Sequence, residues 1–307
     1  MPDLCIVGSA VYDITARFIG EANTRDSNPS RVWYSCGGVG RNIAENAGRL
    51  GISTSLVTSL GRDEYGVRLA ASVTDVGVDI GQAISTEASC SFISLLENTG
   101  ELALAASNLE PLEAIPVSSF FERIDFINSH KLVLVDANLT ELQLGAVAGN
   151  CTQRIMCETV SIAKAPRLLG ILSRVDTLKT NARELGAIVG RKVGTRKEVE
   201  TAARDVLNKG VKHIYTTFGG EGAHYAGIHG NVWIKGDNAG FVSIWVDALP
   251  ADVMSVMGVG DAFAAGIAYS TLNGFEPKDT LRLATRMAYL TLYHPTAVRP
   301  DIYQVLD

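Results

Sequence analysis

The sequence predicts an α/β protein built on a mainly parallel central sheet. Three observations carry that expectation: short apolar runs bounded by Gly or Asp, longer stretches of helical period between them, and steady alternation of the two. Leu4 to Val7 reads as the first strand. Lys131 to Val135, Arg154 to Glu158, Thr177 to Lys179 and Lys212 to Thr217 read as further strands, each followed by a turn and a helix-like stretch. Helices are expected at Arg41 to Leu50, Tyr65 to Val76, Arg196 to Lys209 and Asp261 to Leu272, where apolar residues recur at three and four positions.

Two regions break the alternation. From Ser89 to Ala106, Phe92 to Leu96 and Leu102 to Ala105 flank Asn98-Thr99-Gly100, which is a hairpin signature. From Ala223 to Val246, Gly227, Gly230, Gly236 and Gly240 separate short β-like pieces and suggest antiparallel strands at one edge. With no linker, low-complexity tract or repeat in view, residues 1–307 are expected to form one domain with a small β appendage.

Composition narrows the class. A hydrophobic share of 47% against 20% charged is that of a folded globular chain, and a formal net charge of −6 opposes any large nucleic-acid footprint. The five cysteines (Cys5, Cys36, Cys90, Cys151 and Cys157) are odd in number and lack zinc-ligand spacing, so reduced thiols are expected. Met1-Pro2-Asp3 passes directly into the first apolar run with no basic leader, and no run approaches the ~20 apolar residues that span a bilayer. A cytoplasmic enzyme or binding protein, free of membrane or nucleic-acid partners, is the expectation.

The chemistry concentrates in Met257-Gly258-Val259-Gly260-Asp261-Ala262-Phe263, where small residues lead into a long helix bearing an acid in its first turn. Glycines let several backbone N–H groups converge on one anion, and the helix dipole adds about half a positive charge there. Asp261 then has two readings, a helix cap or a base that takes a proton from an attacking hydroxyl. Ser35-Cys36-Gly37-Gly38-Val39-Gly40-Arg41-Asn42 sets a second glycine turn before a helix. Asn42 can donate and accept together, which suits vicinal hydroxyls, and Asp13 follows the first strand closely enough to accept from the same sugar.

Gly37 to Asn42 (G-G-x-x-x-N) and Gly258 to Phe263 (G-x-G-D-A-F) resemble the two signatures of the PfkB or ribokinase-like kinases, in matching order and spacing. Between them, Lys179-Thr180-Asn181-Ala182-Arg183-Glu184 is similar to that family's K-P-N-x-x-E element. Thr217 to Gly222 is similar to its T-L-G-x-x-G nucleotide loop. The resemblance implies a ribokinase-like three-layer α/β/α sandwich with a small β-sheet lid drawn mainly from about 12–36 and 89–108. It implies phosphoryl transfer from ATP to a sugar or nucleoside hydroxyl, with Asp261 as the base and Gly258, Val259 and Gly260 forming an anion hole. Asp13, Gly38 and Asn42 would hold the sugar. Lys179 would meet ATP phosphate, Asn181 and Glu184 would organise Mg2+ through water, and Thr217, Gly219 and Gly222 would line the nucleotide.

Within the family, Ser107-Asn108-Leu109, Asp136 to Thr140 and Val160 to Lys164 resemble pseudouridine kinases most. That adds Asn108 and Asn138 as substrate residues and Lys164 as a phosphate residue. The chain departs from the family pattern at Met257 and Val259, where Thr and Ala are usual. Ser255 and Met257 replace polar residues beside the family's monovalent-cation site, so strong potassium activation is not expected. The exposed hairpin allows lid-to-lid pairing into a homodimer. Gly8-Ser9-Ala10-Val11 lacks a dinucleotide fingerprint, and neither a Walker motif nor protein-kinase elements occur. Ribokinase, fructokinase or another nucleoside kinase is the alternative enzyme, and a catalytically idle sugar binder is the alternative class.

Overall fold

A computed structural model describes residues 1–228, 241–251 and 253–306. Its central sheet has eight strands in the spatial order Phe241–Val246, Ala223–Ile228, His213–Thr217, Thr177–Asn181, Arg154–Glu158, Leu132–Asp136, Leu4–Val7 and Thr54–Val57. The six strands from His213–Thr217 to Thr54–Val57 are parallel. Ala223–Ile228 and Phe241–Val246 add on antiparallel at one edge, as the glycine-punctuated sequence suggests. Gly230, Gly236 and Gly240 lie outside the described residues.

The apolar strands are buried on both faces, as parallel strands must be. Their period of two divides the core between the faces. Cys5, Val7, Val133 and Val135 join one cluster, packed by helices such as Glu141–Asn150 and Arg196–Leu207. Leu4, Ile6, Leu132 and Leu134 join the other, with helices Val39–Arg49, Val259–Leu272 and Pro277–Leu292. Helix, sheet and helix therefore make the three layers of a ribokinase-like fold.

A separate four-stranded sheet forms the lid, in the order Ser30–Gly37, Val11–Phe18, Ser91–Leu96 and Leu102–Asn108. The hairpin turns at Gly100 (φ 95°) between its last two strands. Register Asp13↔Ser35, Asp13↔Phe92 and Phe92↔Ser107 puts these four residues in one row across the lid. The adjoining row, Tyr12, Ser91 and Asn108, falls on the opposite face. There Tyr12 stacks on Tyr65 with ring centroids 4.4 Å apart.

Two strands carry little periodic signal. Thr54–Val57 opens on polar Thr54 and Ser55, both buried because Thr54 Oγ1 donates to the Ile52 carbonyl and Ser55 Oγ bonds His130 Nε2 at 2.9 Å. Val11–Phe18 carries Asp13 and Arg17 among apolar residues, and Arg17 donates to the Asn98 carbonyl at the hairpin. Among the described residues no helix is long and apolar enough to cross a membrane.

Candidate active site

Parallel register brings Asp136, Glu158, Lys179, Asn181 and Thr217 to the carboxyl ends of neighbouring strands. In open α/β sheets ligands bind at that end. The helix Val259–Leu272 starts over it from Gly258, whose φ of 72° lies in the left-handed region and whose missing Cβ would sit 1.8 Å from the Ala297 carbonyl oxygen. Only glycine fits there.

Asp261 lies in the first turn of that helix but does not cap it, since no side chain bonds the first-turn amides. Instead Asn42 Nδ2 donates to Asp261 Oδ2 at 2.7 Å. Burial pushes the Asp261 carboxyl up to about 6, while the Asn42 hydrogen bond and the Lys179 charge pull it down. Asp13 reaches the same space from the lid. Burial raises its carboxyl to about 6, with Arg41 lowering it and Asp261 raising it further. Asp13, Asn42 and Asp261 thus converge from a lid strand and two helices.

The glycine turn before Asn42 is pinned from beneath by a carboxylate with no exposure. Asp136 Oδ2 accepts from Ser9 N at 2.8 Å, Ser9 Oγ at 3.0 Å and Gly40 N at 2.9 Å, and its Oδ1 accepts from Asn138 N at 2.9 Å. Ser9 Oγ in turn accepts from Val39 N at 3.1 Å and Asn138 Nδ2 at 2.8 Å. Lys164 Nζ donates to Asn138 Oδ1, so this lysine belongs to the glycine-turn network. Gly38 turns with φ 92° between Ser9 and the helix. Asn108 stands apart on the far lid face, its Oδ1 accepting from Glu110 N at 3.2 Å.

Lys179 is no solvated surface charge. It is 4% exposed, forms an ion pair with Glu158 (2% exposed), and lies so close under the glycine turn that a Cβ on Gly260 would be 2.8 Å from its Nζ. Burial works against the ammonium, but the carboxylates of Glu158 and Glu184 outweigh it and raise the Lys179 pKa. Glu184 is also buried. Its Oε2 accepts from Thr159 Oγ1 at 2.5 Å and Asn181 N at 3.0 Å, while Asn181 Oδ1 accepts from Glu184 N at 3.0 Å. Asn181 and Glu184 therefore form a capping box that begins the helix Ala182–Val189.

Thr217, Gly219 and Gly222 line a cavity of about 180 Å3 together with Val259, Gly260 and Phe263, so this loop and the glycine turn before Asp261 share one space. Sequence reasoning assigned no role to Asp136 and overlooked Ser9, Arg41 and Glu158. Acids that close apolar strands, as in Leu132-Val133-Leu134-Val135-Asp136 and Ile155-Met156-Cys157-Glu158, were the available signal. Among the described residues no group of three or more His, Cys, Asp or Glu is arranged to hold a metal ion. Glu158, paired with Lys179, and Glu184, whose charge also acts on it, can supply acceptors to a hydrated cation.

The family model for pfkB family carbohydrate kinases matches residues 1–301. A pseudouridine kinase of Escherichia coli is 29% identical over 300 residues, covering 97% of this chain and 92% of its own. A ribokinase of Arabidopsis thaliana is 24% identical over 318 residues, covering 99% and 80%. Among solved structures, the Arabidopsis thaliana ribokinase complexed with ribose and ATP superposes with a TM-score of 0.86 at 21% identity, covering 99% of this chain and 98% of its own. A putative sugar kinase from Clostridium perfringens gives 0.84 at 24%, covering 100% and 95%.

Proposed function

The chain belongs to the pfkB family of carbohydrate kinases, and from that premise we propose that it moves the γ-phosphoryl of ATP onto the 5′-hydroxyl of pseudouridine. The bond from the γ-phosphorus to its bridging oxygen breaks and ADP leaves. A new bond forms from phosphorus to the hydroxyl oxygen, whose proton passes to Asp261. The observation that carries this reading is the buried Asp261 carboxylate, held by Asn42 and placed in the first turn above a glycine at left-handed φ.

The roles follow from placement. Asp13, for which no described residue supplies a donor, accepts from sugar hydroxyls alongside Asn42, and the Asp136 network keeps Gly38 and Gly40 in position for close approach. The first-turn amides of Val259, Gly260 and Asp261 have no helical partner and face a phosphoryl anion. Lys179, beside Gly260, adds positive charge to the moving group. Glu184 and Glu158 would hold hydrated Mg2+, a cation for which one or two carboxylates suffice. When bound, it neutralises phosphate oxygen charge. Thr217, Gly219 and Gly222 receive the base and ribose of ATP.

Pseudouridine is favoured over other acceptors by the E. coli relative and by the stretches Asp136 to Thr140 and Val160 to Lys164, whose Asn138 and Lys164 are hydrogen-bonded to each other. Steady-state kcat/KM with pseudouridine, uridine, adenosine, ribose and fructose at saturating ATP and Mg2+ tests the assignment. Pseudouridine should lead ribose by about a hundredfold, the factor given by roughly 3 kcal/mol of added transition-state contact. A faster hexose or free ribose would refute pseudouridine and spare the kinase. Verified ATP binding without turnover of any acceptor would favour an idle binder.

A further inference from the structure

A second cavity, of about 900 Å3, shares Thr217 and Gly219 with the nucleotide cavity and extends past Asn181 to Arg183 and Lys192. The two spaces therefore meet across the nucleotide loop. Arg183 stands in the first turn of Ala182–Val189, with its backbone N–H fixed at 2.9 Å to Asn181 Oδ1, and Lys192 follows the end of the same helix. Both side chains are exposed. Among the described residues neither side chain has a hydrogen-bond or ion-pair partner, whereas neighbouring Arg191 pairs with Asp205 at 2.6 Å and Arg196 pairs with Asp247 at 2.6 Å. Glu198, whose carboxylate accepts from Gly194 N at 2.8 Å, is felt by Lys192 but forms no pair with it.

Charge explains why such cations matter. The buried end of the site holds Glu158, Glu184 and Asp261, and of the two buried cations that act on them Lys179 is already paired to Glu158 and Arg41 to Glu45. A polyphosphate brings several more negative charges. Its reacting end has the anion hole, but its other phosphates run back toward the nucleotide loop, where the open cavity carries two unpaired cations.

We propose that Arg183 and Lys192 hold the non-transferred phosphates of the nucleoside triphosphate and of the diphosphate product. The inference rests on the ATP reading of the Thr217–Gly222 loop and adds its phosphate-recognition residues. The Arg183 guanidinium grips phosphate oxygens through its planar fork, and Lys192 acts as a point charge. Because neither touches the moving phosphoryl, their contribution is the same in ground and transition states, and it appears in KM for ATP while kcat stays level.

Calorimetric titration of wild type, Arg183→Ala, Lys192→Ala and the double variant with adenosine, AMP, ADP and a non-hydrolysable ATP analogue tests this, beside kcat and KM for ATP. Both positions are exposed, so folding is retained. The double variant should bind ADP and the ATP analogue about tenfold more weakly, the product of about threefold per exposed charged contact, and its affinity should depend less on salt. Adenosine binding should be unchanged. Arg183→Glu should weaken ADP further than Arg183→Ala. Equal losses for adenosine and ADP, or unchanged ADP binding in the double variant, would overturn the proposal while leaving the kinase reading standing. A wild-type chain that binds none of the four would overturn both.

Discussion

Asn42 Nδ2 and Asp261 Oδ2 meet at 2.7 Å although 219 positions separate them in the chain. One glycine-led helix start is thereby tied to the other. The hydrogen bond aims the carboxylate and favours its ionised form, and both effects would serve the base proposed for this position.

Replacing that base should remove turnover and spare binding. Asp261→Asn is expected to lower kcat by about a thousandfold, within the range of general-base effects, with ATP affinity unchanged by calorimetry. Near wild-type kcat would rule out the assigned role.

The pH profile should show the same group. With Asp261 raised to about 6 by burial, kcat/KM should fall as pH drops through about 6, because a protonated carboxyl cannot accept the hydroxyl proton. Asn42→Ala removes a bond that lowers this pKa, so the acidic limb should move to higher pH. A limb that stays in place would show that Asn42 does not set the Asp261 charge.

Asp13 should weaken the fold at neutral pH. Its folded value of about 6 lies above the ordinary 3.8, so between those values the folded chain binds a proton that the unfolded chain lacks. Stability from this group falls as pH rises through that window, and the full penalty is present above it. Urea unfolding at pH 8 should show Asp13→Asn more stable than wild type by up to about 3 kcal/mol, from a shift of about two pKa units. The gain should shrink toward pH 4, and KM for the acceptor should rise. A destabilised Asp13→Asn at pH 8 would contradict the desolvation argument.

Lys179 and Glu158 form a buried pair, so removing one partner should cost more than removing both. Lys179→Met strands two buried carboxylates and should lose about 3–5 kcal/mol of stability. The Lys179→Met/Glu158→Gln double variant should recover part of that loss in urea melts but none of the activity. Recovery of turnover in the double variant would show that the lysine does not act on phosphate.

Potassium should matter little. Ser255 Oγ accepts from Met257 N at 3.1 Å, and Met257 is 46% exposed and brings no side-chain oxygen. Turnover should require Mg2+ and be similar in sodium, potassium and caesium chlorides at fixed ionic strength. Activation of about tenfold by potassium alone, worth about 1.4 kcal/mol of barrier, would contradict this.

Much of the fold was legible because its signals are local. Apolar runs such as Leu4 to Val7 announce strands buried on both faces, Asn98-Thr99-Gly100 announces a hairpin, and glycines before a helix announce close backbone approach. The helices at Val39–Arg49 and Val259–Leu272 begin about two residues before their apolar periods because the glycine turns are already wound into them. Thr54–Val57 was not legible, since it opens on two polar residues and the buried Ser55 is satisfied by His130, remote in sequence.

By itself the sequence determined the layered α/β class and the two glycine turns, with Asp261 and Asn42 in them as candidates whose roles were read from the family resemblance. Their spacing from short-range neighbours encodes turns and helix starts, and nothing more distant is needed. Tertiary structure alone decided that Asp261 is bonded by Asn42 and caps nothing, that Lys179 is buried against Glu158, that Lys164 joins Asn138, and that Asn108 faces away from Asp13. Each depends on which strands lie side by side and in what register, and on how far water is excluded between them. Pairing and desolvation are set by the assembled sheet, so a residue's neighbours along the chain carry no record of them.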